Sequence, residues 1–316
     1  MKRTGLLVAL MVAVCAGNGF AADKGESLIT AKKVSKDPVD VASAEWSSAK
    51  EATLINDGAS GGPFEKKTLE VKVKAVYTKG GNVSLLFSWP DSDQNVVREP
   101  WKFAKGKWEK TKVDEDKLAI NWEIKRIKNF ATKGCTVVCH SESKNHEDWK
   151  YHTPTATERG DIWEWKAQTS GALGYAEDGF VDDDSRKADA GTGKAKKNES
   201  SDKKKPKFVQ DPAKKPSVPG ALLEGETVEL KAAKEGETVP SWIMSKFSGS
   251  MADVKTNAKW ANGKWTLMLQ RKLETSDKEN DVFFDTRKEF NFGVAVFNNS
   301  SRHTSYNSGP LKLKFD

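Results

Sequence analysis

The sequence predicts a mainly β protein, a single β-sandwich domain with long loop insertions and few short helices. Three observations predict it: apolar and polar residues alternate with period two in several runs, turn signals separate those runs, and helical spacing is scarce. In residues 69–77 the odd positions are apolar and the even ones mostly charged. Val83, Leu85, Phe87 and Trp89 continue the rule after Lys79-Gly80-Gly81-Asn82, so the two runs read as a β-hairpin. A second hairpin is marked by Trp260 and Trp265 on either side of Asn262-Gly263, a strong two-residue turn signal, before Leu267 and Leu269. Phe290, Phe292, Val294 and Val296 form a further alternating strand, and Leu311, Leu313 and Phe315 a last one. Strands at both ends and an irregular middle place function in the central loops.

At the N-terminus Lys2 and Arg3 precede an apolar run from Leu6 to Cys15 and a small-residue stretch ending at Ala21-Ala22. That order reads as a secretory signal peptide over residues 1–22, cleaved after Ala21 or Ala22, which implies export to the periplasm. A lipoprotein reading would acylate Cys15, for which Val14 is a poor preceding residue. The apolar run is shorter than the roughly 20 residues a spanning helix needs, so no stable membrane insertion is expected. Residues 23–316 are read as the folded domain.

The formal net charge of +7 is concentrated in one place. Residues 185–216 hold eleven Lys/Arg against four acids, within a Lys-rich segment of about 185–218 poor in apolar residues. Such a segment cannot bury a core of its own and reads as a long, partly mobile loop. It is either a solvated insertion or a docking patch that steers an acidic redox partner. Nucleic acid is not expected, because no aromatic interleaving or nucleic-acid motif accompanies the lysines.

Without the leader only two cysteines remain, and they sit together in Gly134-Cys135-Thr136-Val137-Val138-Cys139-His140. Two thiols beside a histidine suit covalent haem attachment, each thiol meeting a vinyl group and His140 becoming the proximal iron ligand. The usual spacing is Cys-x-x-Cys-His; here three residues intervene, so the loop must bulge to present both sulfurs. A Cys135–Cys139 disulfide in an oxidising compartment, or a metal or redox-active thiol site, are the other readings of the same residues.

Several segments taken in order resemble the haem-binding domain related to the γ subunit of ethylbenzene dehydrogenase. They are residues 75–77, 87–91, 134–140, Asp161-Ile162-Trp163-Glu164-Trp165-Lys166-Ala167, 174–178, 189–193, Val239-Pro240, Asp253-Val254, 260–273 and 292–297. The resemblance implies a β-sandwich that binds haem with loops at one end and passes single electrons. Some members are subunits of molybdenum enzymes with non-covalent b-type haem, and others carry Cys-His attachment signals. It thus implies one covalent haem c, and redox partners such as a molybdenum oxidoreductase or a membrane quinol-oxidising cytochrome. His303 occupies a position resembling one where γ subunits place an iron ligand, near the C-terminal end of the sheet.

His303 is therefore the preferred distal iron ligand, with His152 and Met251 as alternatives and His146, Met244 and Lys166 as further candidates. Each also has an ordinary reading, as a solvated histidine or a core-filling methionine. Trp163 and Trp165 read as packing residues that could meet the porphyrin, and Lys166 could pair with a propionate or simply be solvated. Asp182-Asp183-Asp184 reads as a solvated acidic turn or a weak cation site. With no nucleophile elbow or phosphate loop, an electron carrier is favoured over an enzyme. The reading from another class is a non-redox, carbohydrate-binding sandwich with exposed tryptophans and a Cys135–Cys139 disulfide.

Overall fold

The computed structural model describes residues 27–140, 150–218 and 220–316. The expected leader and His146 lie outside them. Thirteen strands share one hydrogen-bonded sheet: β1 (Leu28–Lys33), β2 (Ala52–Gly58), β3 (Thr68–Tyr77), β4 (Asn82–Pro90), β5 (Lys117–Lys125), β6 (Arg159–Lys166), β7 (Glu177–Val181), β8 (Arg186–Ala188), β9 (Lys255–Trp260), β10 (Lys264–Lys272), β11 (Phe290–Phe297), β12 (Ser305–Tyr306) and β13 (Leu311–Phe315). Their order is β8-β7-β6-β5-β11-β12-β2-β3-β4-β10-β9, with β1 and β13 joined to its middle. Mainly β architecture is what the alternation predicted.

The sheet folds over a single large core. Val71 and Val73 of β3, Leu85 and Phe87 of β4, and Leu267 and Leu269 of β10 line one inner face. Leu118, Ile120 and Trp122 of β5, Trp163 and Trp165 of β6, and Phe292, Val294 and Val296 of β11 belong to the same cluster from the other side. Aromatic edges interlock there, with Trp122 and Phe292 centroids 4.8 Å apart and Trp165 and Trp265 4.9 Å apart. Burying such side chains contributes on the order of 25 cal/mol per Å² of apolar surface, which makes this layer the chief source of stability.

Both predicted hairpins form. Tyr77 faces Val83 across the first. In the second Trp260 faces Trp265, and Asn262 (φ 54°) with Gly263 (φ 68°) supplies the two left-handed residues a tight hairpin turn requires. The sequence did not disclose β1, which pairs parallel to both β13 and β3 and ties the two ends of the described chain together.

The Lys-rich segment is not one long loop. Gly191–Thr192 pairs with Ser248–Gly249, Lys196–Lys197 with Trp242–Met244, and Phe208–Gln210 with Thr227–Glu229. Buried Asn198 joins them, donating to the Phe208 and Pro240 carbonyls at 2.8 and 2.9 Å and accepting from the Phe208 N–H at 2.8 Å. The partners lie 17–58 residues downstream, so local composition gave no hint of them. Ten tryptophans are described, and none is exposed: seven are buried and Trp108, Trp242 and Trp260 half-buried. Among the described residues no helix is long and apolar enough to cross a membrane.

Candidate functional site

Alternation along β5, β6 and β11 sends bulky residues inward and leaves mostly small ones facing out. Ala119 and Asn121 of β5, Ile162 and Glu164 of β6, and Gly293, Ala295 and Phe297 of β11 line a cavity of about 770 Å³ on that outer face. This volume lies within the roughly 300–1,000 Å³ typical of ligand pockets. Residues 59–62, Cys135-Thr136, Tyr151, Arg186, residues 300–304 and Tyr306 complete the lining. The cavity thus lies on a sheet face covered by loops, whereas the resemblance implied an end of the sandwich.

Cys135 enters through a 3-10 helix, Gly134–Val137, that follows one helical turn at Phe130–Lys133. Gly134 has φ 61°, and a Cβ there would lie 2.6 Å from the Gly309 carbonyl oxygen, so glycine is required. The Val138 N–H donates to the Cys135 carbonyl at 3.1 Å and closes the turn. A two-residue strand, Cys139–His140, then pairs with Lys150–Tyr151. The side chains of Cys139 and His140 lie outside the described residues. Cys135 itself is buried with a free thiol, its Sγ 3.7 Å from the Asn307 carbonyl oxygen, and burial pushes the thiol up to about 12.

The loop after β11 carries His303. Asn299, at φ 46°, donates its N–H to Asp116 at 3.0 Å, while Lys117 donates to the Ser300 carbonyl at 2.9 Å. The Thr304 N–H closes the loop onto Val296 at 2.8 Å, and the Ala59 N–H joins the 59–62 loop to Thr304 at 2.9 Å. The imidazole packs edge-on to Phe297 and Tyr306, and burial lowers its pKa from 6.5, favouring the neutral, metal-binding form.

Of the residues singled out from the sequence, Cys135 and His303 meet in this cavity. The other candidates whose side chains are described do not line it. His152 donates from Nδ1 to the Thr153 carbonyl at 2.8 Å, and Met251 is buried in the 3-10 turn Ser250–Ala252. Met244 is buried in a minor strand. Trp163 and Trp165 point into the sandwich core, since they alternate with the cavity-facing Ile162 and Glu164. Lys166 is occupied, donating to Glu177 at 2.6 Å and lying 3.2 Å from Glu164.

Sequence reasoning did not single out Glu164, Arg186, Asn121 or Tyr306 as cavity residues. Arg186 donates to Glu164, which lies near Lys166 as well; these cations hold the buried Glu164 carboxyl well below the usual range despite its desolvation. Arg186 and Arg302 are the guanidiniums of the lining. The Asn121 Oδ1 is buried without a hydrogen-bond partner. Small residues at alternate positions of otherwise bulky strands, Ala119/Asn121 and Gly293/Ala295, were the available signal.

These features define a class: a β-sandwich with a roomy cavity on one sheet face, walled by a thiol, a neutral imidazole and two guanidiniums. The chain belongs to the ethylbenzene dehydrogenase family, whose model matches residues 31–309. No match is found among curated proteins.

Proposed function

We propose that this protein is an exported monohaem c-type cytochrome that passes single electrons between redox partners, as a shuttle or as a subunit of a larger oxidoreductase. The observation that carries the reading is that Cys135 and His303, far apart in sequence, line one cavity. The lining fits the group chemically: apolar walls from Ala295, Ile162 and Phe297, a thiol for a vinyl group, a neutral imidazole for iron, and Arg302 for a propionate carboxylate, Arg186 being paired with Glu164. Family membership supports association with a multi-subunit oxidoreductase.

When bound, the haem supplies a one-electron Fe(III)/Fe(II) couple. Cys135 and Cys139 would hold the group through thioethers, the S–H of each adding across a vinyl double bond with no electrons lost. His140 and His303 would supply imidazole ligands to the iron. Because the thiolate is the reactive form and the buried Cys135 stays protonated at neutral pH, attachment is expected before the chain closes over it. The loops at 59–62 and 300–304, which line the cavity, would screen the bound group from water.

Intact mass and visible absorption of the protein matured in an exporting host test the reading. One added haem, retained in acid acetone and lost in the Cys135→Ser/Cys139→Ser variant, is expected; a colourless protein of unmodified mass would refute it.

A further inference from the structure

Away from the cavity, four aspartates from separate segments converge in the interior: Asp161 on β6, Asp178 on β7, Asp189 just after β8, and Asp281 in the connection between β10 and β11. All are at most 6% exposed. A single guanidinium serves them. Arg271 Nη1 lies 2.6 Å from Asp161, 3.2 Å from Asp281 and 3.8 Å from Asp178, and Nη2 donates to the Val282 carbonyl at 2.6 Å. Its plane covers Trp163, 4.7 Å from the ring centroid.

One cation does not satisfy this cluster. Both carboxylate oxygens of Asp178 and Asp189, Oδ2 of Asp281 and Oδ1 of Asp161 lack a hydrogen-bond donor, and the 3.2 Å Arg271–Asp281 contact is not aligned as a hydrogen bond. Asp189 has no cation beside it at all among the described residues, and its carboxyl faces that of Asp281. Buried anions without donors are strongly unfavourable unless a proton or a metal ion neutralises them. One oxygen from each of Asp161, Asp178 and Asp281 lies within 4.8 Å of the others. Oxygens bound to a common Ca²⁺ at about 2.3–2.6 Å can be at most roughly 5 Å apart, so the spacing suits that ion.

We propose that Asp161, Asp178 and Asp281, with Asp189 next to them, form a calcium site beside Arg271. An all-oxygen, all-carboxylate set excludes the soft metals. Mg²⁺ demands a regular octahedron and keeps several waters, whereas this enclosed, irregular cage suits the flexible coordination of Ca²⁺. The ion ties the start of the 189–249 excursion, at Asp189, to two core strands and to the segment leading into β11. It is a structural clamp, independent of any haem.

The test uses the full chain freed of metal with EDTA. Titration calorimetry with CaCl₂ is expected to show one site, and thermal melting to rise more with 1 mM CaCl₂ than with 1 mM MgCl₂. Asp178→Asn and Asp189→Asn, which keep side-chain shape and relieve repulsion, are expected to fold and to weaken Ca²⁺ binding more than about tenfold. A control replacing Asp183 and Asp184 by Asn in the exposed turn is expected to bind normally. Absence of heat and of a melting shift in the wild type would overturn the proposal, as would binding lost in the turn variant but kept in Asp178→Asn and Asp189→Asn.

Discussion

Gly293 has no side chain because Cys135 occupies the space one would need: a Cβ on Gly293 would stand 2.5 Å from the Cys135 Cβ and 2.7 Å from its backbone nitrogen. A middle-strand glycine ordinarily weakens a sheet. Here it lets the 3-10 helix lie flat on β11.

Gly293→Val is therefore expected to lever the Cys135 helix off the sheet. Overpacking of this kind costs about 1–3 kcal/mol, readable as a lower urea midpoint with an unchanged m-value. In an exporting host the same variant is expected to carry less covalent haem than the wild type.

His303→Ala should leave the proposed covalent attachment intact, because that attachment falls to Cys135 and Cys139, while changing the visible spectrum of the haem-loaded protein and raising its affinity for exogenous imidazole. In the haem-free protein His303 gives an opposite pH signature. Its folded pKa is lowered, so its contribution to stability is present above the unfolded value of 6.5 and is lost as pH falls through the folded one. Urea melts of wild type and His303→Gln should thus differ in slope only on the acid side.

Asp189 acts in the reverse sense. Burial, with the negative charges of Asp281, Asp161 and Asp277, raises its carboxyl from 3.8 to about 8. A raised acid pKa adds stability that is fully present below 3.8 and is lost as pH rises through about 8. Metal-free protein should therefore lose stability between about pH 4 and 8, and Asp189→Asn should flatten the decline. Ca²⁺ affinity should climb over the same interval, since the carboxylates must shed protons to bind it.

Trp163→Ala removes a fully buried ring between Trp122, Phe284 and Arg271. A loss of about 3–5 kcal/mol is expected, measured by denaturant unfolding. Because the ring lies on the far face of β6, haem-loaded protein that survives should keep its visible spectrum.

How far the site was legible depended on whether its signal was local. The Cys135–His140 motif and the loop bearing His303 are contiguous and could be read directly. The inward direction of Trp163 and Trp165 could not, because alternation fixes which residues share a face but not which face meets the core. The acidic run 182–184 drew attention by adjacency, yet Asp182 is a turn residue accepting from Ser185 N–H and Lys187. The buried cluster draws its members from four separate segments, so no window of sequence contained it.

What the sequence by itself determined was the β class, both hairpins and the lone cysteine motif, since period-two burial, turn chemistry and residue rarity act within a few residues. Only the tertiary structure decided the parallel seating of β1, the cavity on the outer face of β5, β6 and β11, and the gathering of Asp161, Asp178, Asp189 and Asp281 around Arg271. These depend on which strands become neighbours, and that choice is made by burial of the whole core rather than by any local pattern.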